Sequence, residues 1–171
     1  MRTAYVNGEF IAEQDAKVSI FDRAFLFADG VYEVTSVLNG KLVDFDNHIK
    51  RLKRSMKELD FGPTINEEEF LTFHRKLVEL NEIKEGIVYL QVSRGVAERD
   101  FAFPDSKTAL TITAFTQKKD LIDNPSVHNG ISIITIDDLR WKRCDIKTIQ
   151  LLYPSMAKTE AMKQGADDAW M

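Results

Sequence analysis

The residues best suited to chemistry lie near position 147. In Arg140-Trp141-Lys142-Arg143-Cys144-Asp145-Ile146-Lys147-Thr148, a lysine follows an apolar residue and stands close to three cations. Desolvation and nearby positive charge both favour the neutral amine, the form that attacks a carbonyl to make a Schiff base. Arg51 is a second candidate. It lies in the basic run Lys50-Arg51-Leu52-Lys53-Arg54, and a guanidinium suits bidentate phosphate binding. Arg94 and Arg99, in Arg94-Gly95-Val96-Ala97-Glu98-Arg99, place two guanidiniums in a turn where a carboxylate could bind. Tyr32 and Glu33 are adjacent in a strand-like run, so they face opposite sides and only one of them faces any given pocket. Each candidate has an ordinary alternative: a solvated lysine, a solvated helix face, a charged loop, a packing residue.

Other chemistries find less support. G-x-G-x-x-G, Walker A and H-E-x-x-H patterns are absent. His48, His74 and His128 are far apart in the chain and read as surface or capping residues rather than metal ligands. Ser155-Met156-Ala157-Lys158 matches S-x-x-K, but no K-T-G follows, so a β-lactamase-like nucleophile is a poor reading.

The elements that must position these residues are legible in outline. Asn7-Gly8 and Asn39-Gly40 each sit between strand-like runs and predict two tight hairpins. After the second, Asp46 or Asn47 is the expected cap of a helix carrying Ile49, Leu52, Met56 and Leu59 at helical spacing, closed by Gly62-Pro63. Asn66 with Glu69 predicts a capped second helix with an apolar stripe of Phe70, Phe73, Leu77 and Leu80. Strands are expected over 87–92, 110–115 and 131–136, with a linker over 117–130. Pro154 and Gly165 bracket a last helix, and Ala169-Trp170-Met171 reads as the start of a strand without an obvious partner. The expected class is therefore α+β. It comprises a small α/β sandwich-like domain over 1–120 and, over 121–171, the beginning of a β-rich pseudo-barrel domain that is incomplete.

Bulk properties narrow the function. Hydrophobic content of 44% with 29% charged residues fits a packed domain rather than a disordered chain. A net charge of -4 offers no general field for nucleic acid or anionic lipid. The single cysteine, Cys144, excludes an internal disulfide, and the first residues lack a signal-like apolar run, so the chain reads as cytoplasmic and free of the membrane.

Taken together and in order, the motifs resemble a known family. Asp22-Arg23-Ala24-Phe25-Leu26-Phe27-Ala28-Asp29-Gly30-Val31-Tyr32-Glu33 is similar to the opening of class IV, or fold-type IV, pyridoxal-phosphate enzymes. His48-Ile49-Lys50-Arg51-Leu52 resembles that family's H-x-x-R-L helix, and Gln91-Val92-Ser93-Arg94-Gly95 its substrate-domain strand and turn. Arg143-Cys144-Asp145-Ile146-Lys147-Thr148 resembles the lysine segment of the D-amino-acid transaminases in particular.

The resemblance implies that Lys147 holds pyridoxal 5'-phosphate as an internal aldimine and shuttles a proton at the substrate. It implies Arg51 on the cofactor phosphate, Tyr32 and Arg99 on the substrate α-carboxylate, Tyr89 in the pocket, and Glu33 near the lysine. The implied reaction is amino transfer between an amino acid, expected to be a D-amino acid, and a 2-oxo acid, by a homodimer. Within the same fold, an aminodeoxychorismate lyase and a branched-chain aminotransferase are alternatives. A non-catalytic dimerisation module is a reading from another class. Two departures bear on this. Phe101 stands where D-amino-acid transaminases have a histidine two residues after the carboxylate-binding arginine. The family's pyridine-binding glutamate and phosphate loops are expected beyond Met171.

Overall fold

The computed structural model describes residues 1–171. The chain divides into two compact units, one of residues 1–119 with 146–149, the other of 120–145 with 150–171.

The first unit is an antiparallel sheet covered on one face by two helices, in keeping with the α+β class expected from the sequence. Strand β1 (Thr3–Val6) turns into β2 (Glu9–Ala12). Asn7 and Gly8 both take positive φ, 49° and 101°, the twist a two-residue hairpin needs. A short helix α1 (Arg23–Phe27) leads to β3 (Gly30–Leu38), and Asn39-Gly40 makes the second tight turn into β4 (Lys41–Leu42). Helices α2 (Phe45–Glu58) and α3 (Glu67–Leu80) follow, then β5 (Glu85–Ser93) and β6 (Thr111–Lys118). The strand order is β2-β1-β6-β5-β3-β4.

Alternation along β3 decides what each face does. Val31, Glu33, Thr35 and Val37 are buried, while Tyr32, Val34, Ser36 and Leu38 are only half-buried. The buried row meets Ile49, Leu52 and Met56 of α2 and, across the core, Phe70, Phe73 and Leu77 of α3. Each fully buried side chain of this size contributes about 1.5–3 kcal/mol relative to exposure. The other face of the sheet carries a stacked row across neighbouring strands. Tyr32 and Tyr89 rings lie 5.7 Å apart, and Tyr89 and Phe115 rings 4.9 Å apart.

Two helix starts differ in kind. Asn66 caps α3 as the sequence predicts, its side-chain oxygen accepting from the Glu68 and Glu69 N–H groups. At α2 the expected cap, Asp46 or Asn47, already lies inside the helix. Asp44 occupies the cap in a left-handed conformation, and its carboxylate accepts from Asn47 Nδ2 instead of from the backbone. The buried ring of Phe45 fixes the start here, so packing overrides the polar signal. His74 is also not a surface histidine. It is 1% exposed, stacked on Phe73, with its Nδ1–H donating to Phe70 O at 2.7 Å.

The second unit holds α4 (Pro125–Asn129), β7 (Ile133–Thr135), α5 (Leu152–Lys163) and β8 (Asp168–Trp170). The expected linker thus contains a short helix, capped by Asn124. Strand β8, which lacks an obvious partner in the sequence, pairs in parallel with β7. Pro154 is the third residue of α5 rather than the first, a position still within the first turn, whose N–H groups have no intrahelical acceptor. No helix is long and apolar enough to cross a membrane.

Candidate functional site

Residues 146–149 return to the first unit and run along β3. Val31 bridges Thr148, Tyr32 N–H donates to Lys147 O at 3.1 Å, and Ile149 N–H donates to Gly30 O at 3.1 Å. Gly30 permits this approach. A Cβ there would lie 3.0 Å from Ile149 Cδ1 and 3.1 Å from Val92 O, tighter than ordinary packing. The segment is also tied to α2, because Lys147 N–H donates to the hydroxyl of fully buried Ser55 at 3.3 Å. Ile146 and Thr148 point into the core on either side. The pairing therefore sends the Lys147 side chain to the Tyr32 side, where its ammonium sits 3.9 Å from the Tyr32 ring centroid. An aromatic face, not a carboxylate, opposes this amine.

Tyr89 is the next ring in the row, with its hydroxyl donating to Gln91 Oε1 at 3.0 Å. Burial pushes its phenol up to about 12, with the neighbouring Tyr32 adding to the effect. Tyr89 is thus a neutral donor at any physiological pH.

Arg51 lies on the helix side of β3. Its Nε donates to Glu33 Oε1 at 2.7 Å and its Nη2 to Glu33 Oε2 at 2.6 Å. His48, one turn earlier on α2, holds the same Oε2 through Nδ1 at 2.8 Å. Glu33 is 1% exposed, whereas the Arg51 side chain is 48% exposed. The hydrogen bonds to Glu33 raise the Arg51 pKa above its usual value, against a smaller opposing effect of burial. Nε and Nη2 are spent on Glu33, which leaves Nη1 for an outside anion. The family resemblance implies a place for Glu33 near the lysine; the partners its carboxylate takes are Arg51 and His48. Alternation along β3 carried the signal, since Glu33 must face α2 when Tyr32 faces away.

Glu33→Gln is expected to lower the unfolding free energy by about 1–2 kcal/mol, because one bidentate charged bond is lost while the half-exposed guanidinium can recover water. Urea unfolding would measure this, and an unchanged midpoint would show that Glu33 does not fasten Arg51.

The two arginines of the 94–99 turn separate. Arg94 is buried and unavailable to a ligand. Its Nε donates to Asp29 at 2.8 Å, its Nη1 to Asp60 O at 3.0 Å and its Nη2 to Leu59 O at 2.6 Å. Arg99 is exposed and rests over Phe27 and Phe101, with its guanidinium carbon 5.4 and 5.5 Å from the two ring centroids. It is not part of the Lys147–Tyr32–Tyr89 cluster. Phe101 is itself 80% exposed beside Phe27.

Two of the three cations expected to favour a neutral Lys147 are paired with carboxylates. Arg140 is paired with Asp138 and Arg143 with Asp145. Ser155 and Lys158 do not form a nucleophile pair either. Ser155 Oγ donates to Leu151 O at 2.9 Å, while Lys158 bonds Asp167 O and lies 3.4 Å from Asp168 Oδ2.

Two groups are left with spare chemistry, one on the Tyr32 side of β3 and one on its helix side. A half-buried amine without a carboxylate partner is available for imine formation, and a guanidinium with one free nitrogen is available for an anion.

Comparison with known proteins identifies the family. Residues 30–171 match the family model for amino-transferase class IV. A D-alanine aminotransferase of Staphylococcus aureus (strain MSSA476) is 41% identical over 99% of this chain and 60% of its own length. A D-alanine aminotransferase of Bacillus licheniformis is 39% identical over 95% of this chain and 57% of its own. The chain thus spans about 60% of the length of the curated relatives it matches. Among solved structures, the PLP-bound form of a hypothetical aminotransferase from Mycobacterium tuberculosis superposes with a TM-score of 0.80 at 20% identity, covering 98% of this chain and 60% of that one. That degree of identity speaks for the fold alone.

Proposed function

Because this chain belongs to the class IV aminotransferase family, we propose that it serves pyridoxal-phosphate-dependent transfer of an amino group between a D-amino acid and a 2-oxo acid. The observation that carries the reading is Lys147, strapped by its backbone to β3 and Ser55 with its amine on the Tyr32 ring. The D-alanine aminotransferase relatives support the D-amino acid as substrate.

Pyridoxal phosphate, when bound, supplies the electron sink that makes the substrate Cα–H acidic. The chain's residues then divide the remaining work. Lys147 would hold the cofactor through its side-chain amine, and the same amine would carry the proton to and from the substrate Cα. Arg51 would hold the phosphate, its guanidinium oriented by Glu33 and its Nη1 left available. Tyr32 of one copy and Arg99 of the other bind the substrate carboxylate, and Tyr89 forms part of the pocket wall beside Tyr32. The assembly is a homodimer in the cytoplasm, with residues near Arg99 reaching the other copy's site. The domain division we propose is 1–120 for the N-terminal α+β domain and 121–171 for the start of the cofactor-binding domain.

The test is borohydride reduction with added pyridoxal phosphate, followed by peptide mass mapping. A pyridoxyl adduct confined to Lys147, and lost in Lys147→Ala, is the expected result. No adduct, or adducts scattered over surface lysines, would overturn the proposal. Release of pyruvate from a substrate with no 2-oxo acid present would point to a lyase instead.

A further inference from the structure

Arg23 has no role in the site described so far, yet it is 2% exposed and held through Nε and Nη1. Its Nε donates to Asp29 Oδ2 at 2.6 Å. Its Nη1 donates to Asp100 O at 2.8 Å and approaches Ala102 O at 3.4 Å. These two carbonyls lie on either side of Phe101, in the segment that carries Arg99. The same guanidinium stacks on Phe27 at 4.6 Å, and Phe27 is one of the two rings beneath Arg99. Arg94 completes the arrangement. It shares Asp29 Oδ2 with Arg23 and lies 3.7 Å over the Phe103 ring, which Arg23 also faces at 5.9 Å.

The loop around Arg99 is otherwise thinly held. Residues 98–103 are all exposed. A solvated loop ending in an arginine would ordinarily sample many orientations, and binding a carboxylate would cost the entropy of ordering it. Here the ordering is built in beforehand. One face of Arg99 rests on two rings, no carboxylate of its own chain neutralises it, and the carbonyls next to it are tethered to a buried side chain.

We infer that Arg23, held by Asp29, is the positioning residue that presents Arg99 to a small carboxylate ligand. This rests on the reading of Arg99 as a carboxylate-binding residue. Arg23 touches no substrate; it acts through the Asp100 and Ala102 carbonyls and the Phe27 ring. The geometry needs a planar fork, one arm on Asp29 and the other on the loop. A lysine in its place keeps the charge on Asp29 but cannot span both.

The decisive variant is therefore Arg23→Lys, which retains the buried ion pair, whereas Asp29→Ala risks the fold. The readout is phenylglyoxal modification of the folded chain, mapped by mass spectrometry, with pyruvate as the carboxylate probe. In the wild type, pyruvate slows modification of Arg99, while Arg23 and Arg94 stay unmodified. In Arg23→Lys the pyruvate concentration for half-protection of Arg99 rises about tenfold, and the borohydride adduct on Lys147 is unchanged. Equal protection in both proteins would overturn the inference. Loss of the Lys147 adduct together with protection would also overturn it, because the effect would then be general to the fold. Absence of Arg99 protection in the wild type would instead remove the carboxylate reading on which the inference stands.

Discussion

Asp29→Ala is expected to lower the unfolding free energy of the first unit by about 3–5 kcal/mol. Asp29 Oδ2 accepts from Arg23 Nε and Arg94 Nε at 2.6 and 2.8 Å, and all three side chains are almost wholly buried. The cluster already carries two positive charges against one negative. Removing the carboxylate leaves two buried guanidiniums without a counter-charge, and their other bonds, to Leu59, Asp60 and Asp100 carbonyls, cannot replace it. An exposed pair offers the contrast. Lys76 and Glu79 form an i,i+3 pair at 3.1 Å on the surface of α3, and Glu79→Ala should cost about 0–1 kcal/mol. Since single domains hold only about 5–15 kcal/mol in total, the Asp29 variant should unfold at much lower urea. A shift no larger than that of Glu79→Ala would mean that the cluster is solvated in solution and does not tie the turn together.

This cluster also shows where sequence reading stops. Arg94 and Arg99 are five positions apart in one turn and read as a pair, but burial consumes one and leaves the other in solvent. Nothing local distinguishes them, because Arg94's partners are Asp29, Leu59 and Asp60, all distant in the chain. The same holds for Glu33 with Arg51, and for Lys147 with Tyr32, whose meeting depends on the 146–149 segment crossing back to β3. Features set by the backbone over a few residues were legible. The two Asn-Gly hairpins and the Asn66 cap need only local φ values or a side chain reaching two residues ahead. Asp44 displaced the expected cap because burial of Phe45 decided where α2 begins. His74 was readable in principle. It is four residues after Phe70 and three before Leu77, on the very stripe that marks the buried face of α3.

That position gives His74 a measurable consequence. Burial lowers its pKa from 6.5 to about 4, with the nearby His48 contributing in the same direction and the bond to Phe70 O opposing. The folded protein thus keeps the ring neutral where the unfolded chain would protonate it. The contribution is fully present above about pH 6.5 and is lost as the pH falls toward about 4. Over that window the unfolded state binds more protons, so stability must rise with pH. At 1.36 kcal/mol per pKa unit, the whole effect is about 3 kcal/mol. Carboxylates titrate in the lower part of the same range, so the measurement is a difference between two proteins. His74→Phe keeps a ring between Phe45 and Phe73 but carries no proton. Urea unfolding of both proteins at several pH values between about 4 and 7 should show the wild type losing about 3 kcal/mol more than the variant as the pH falls. Parallel curves would show that the His74 ring protonates inside the folded protein as readily as outside it, and that the core around it admits water.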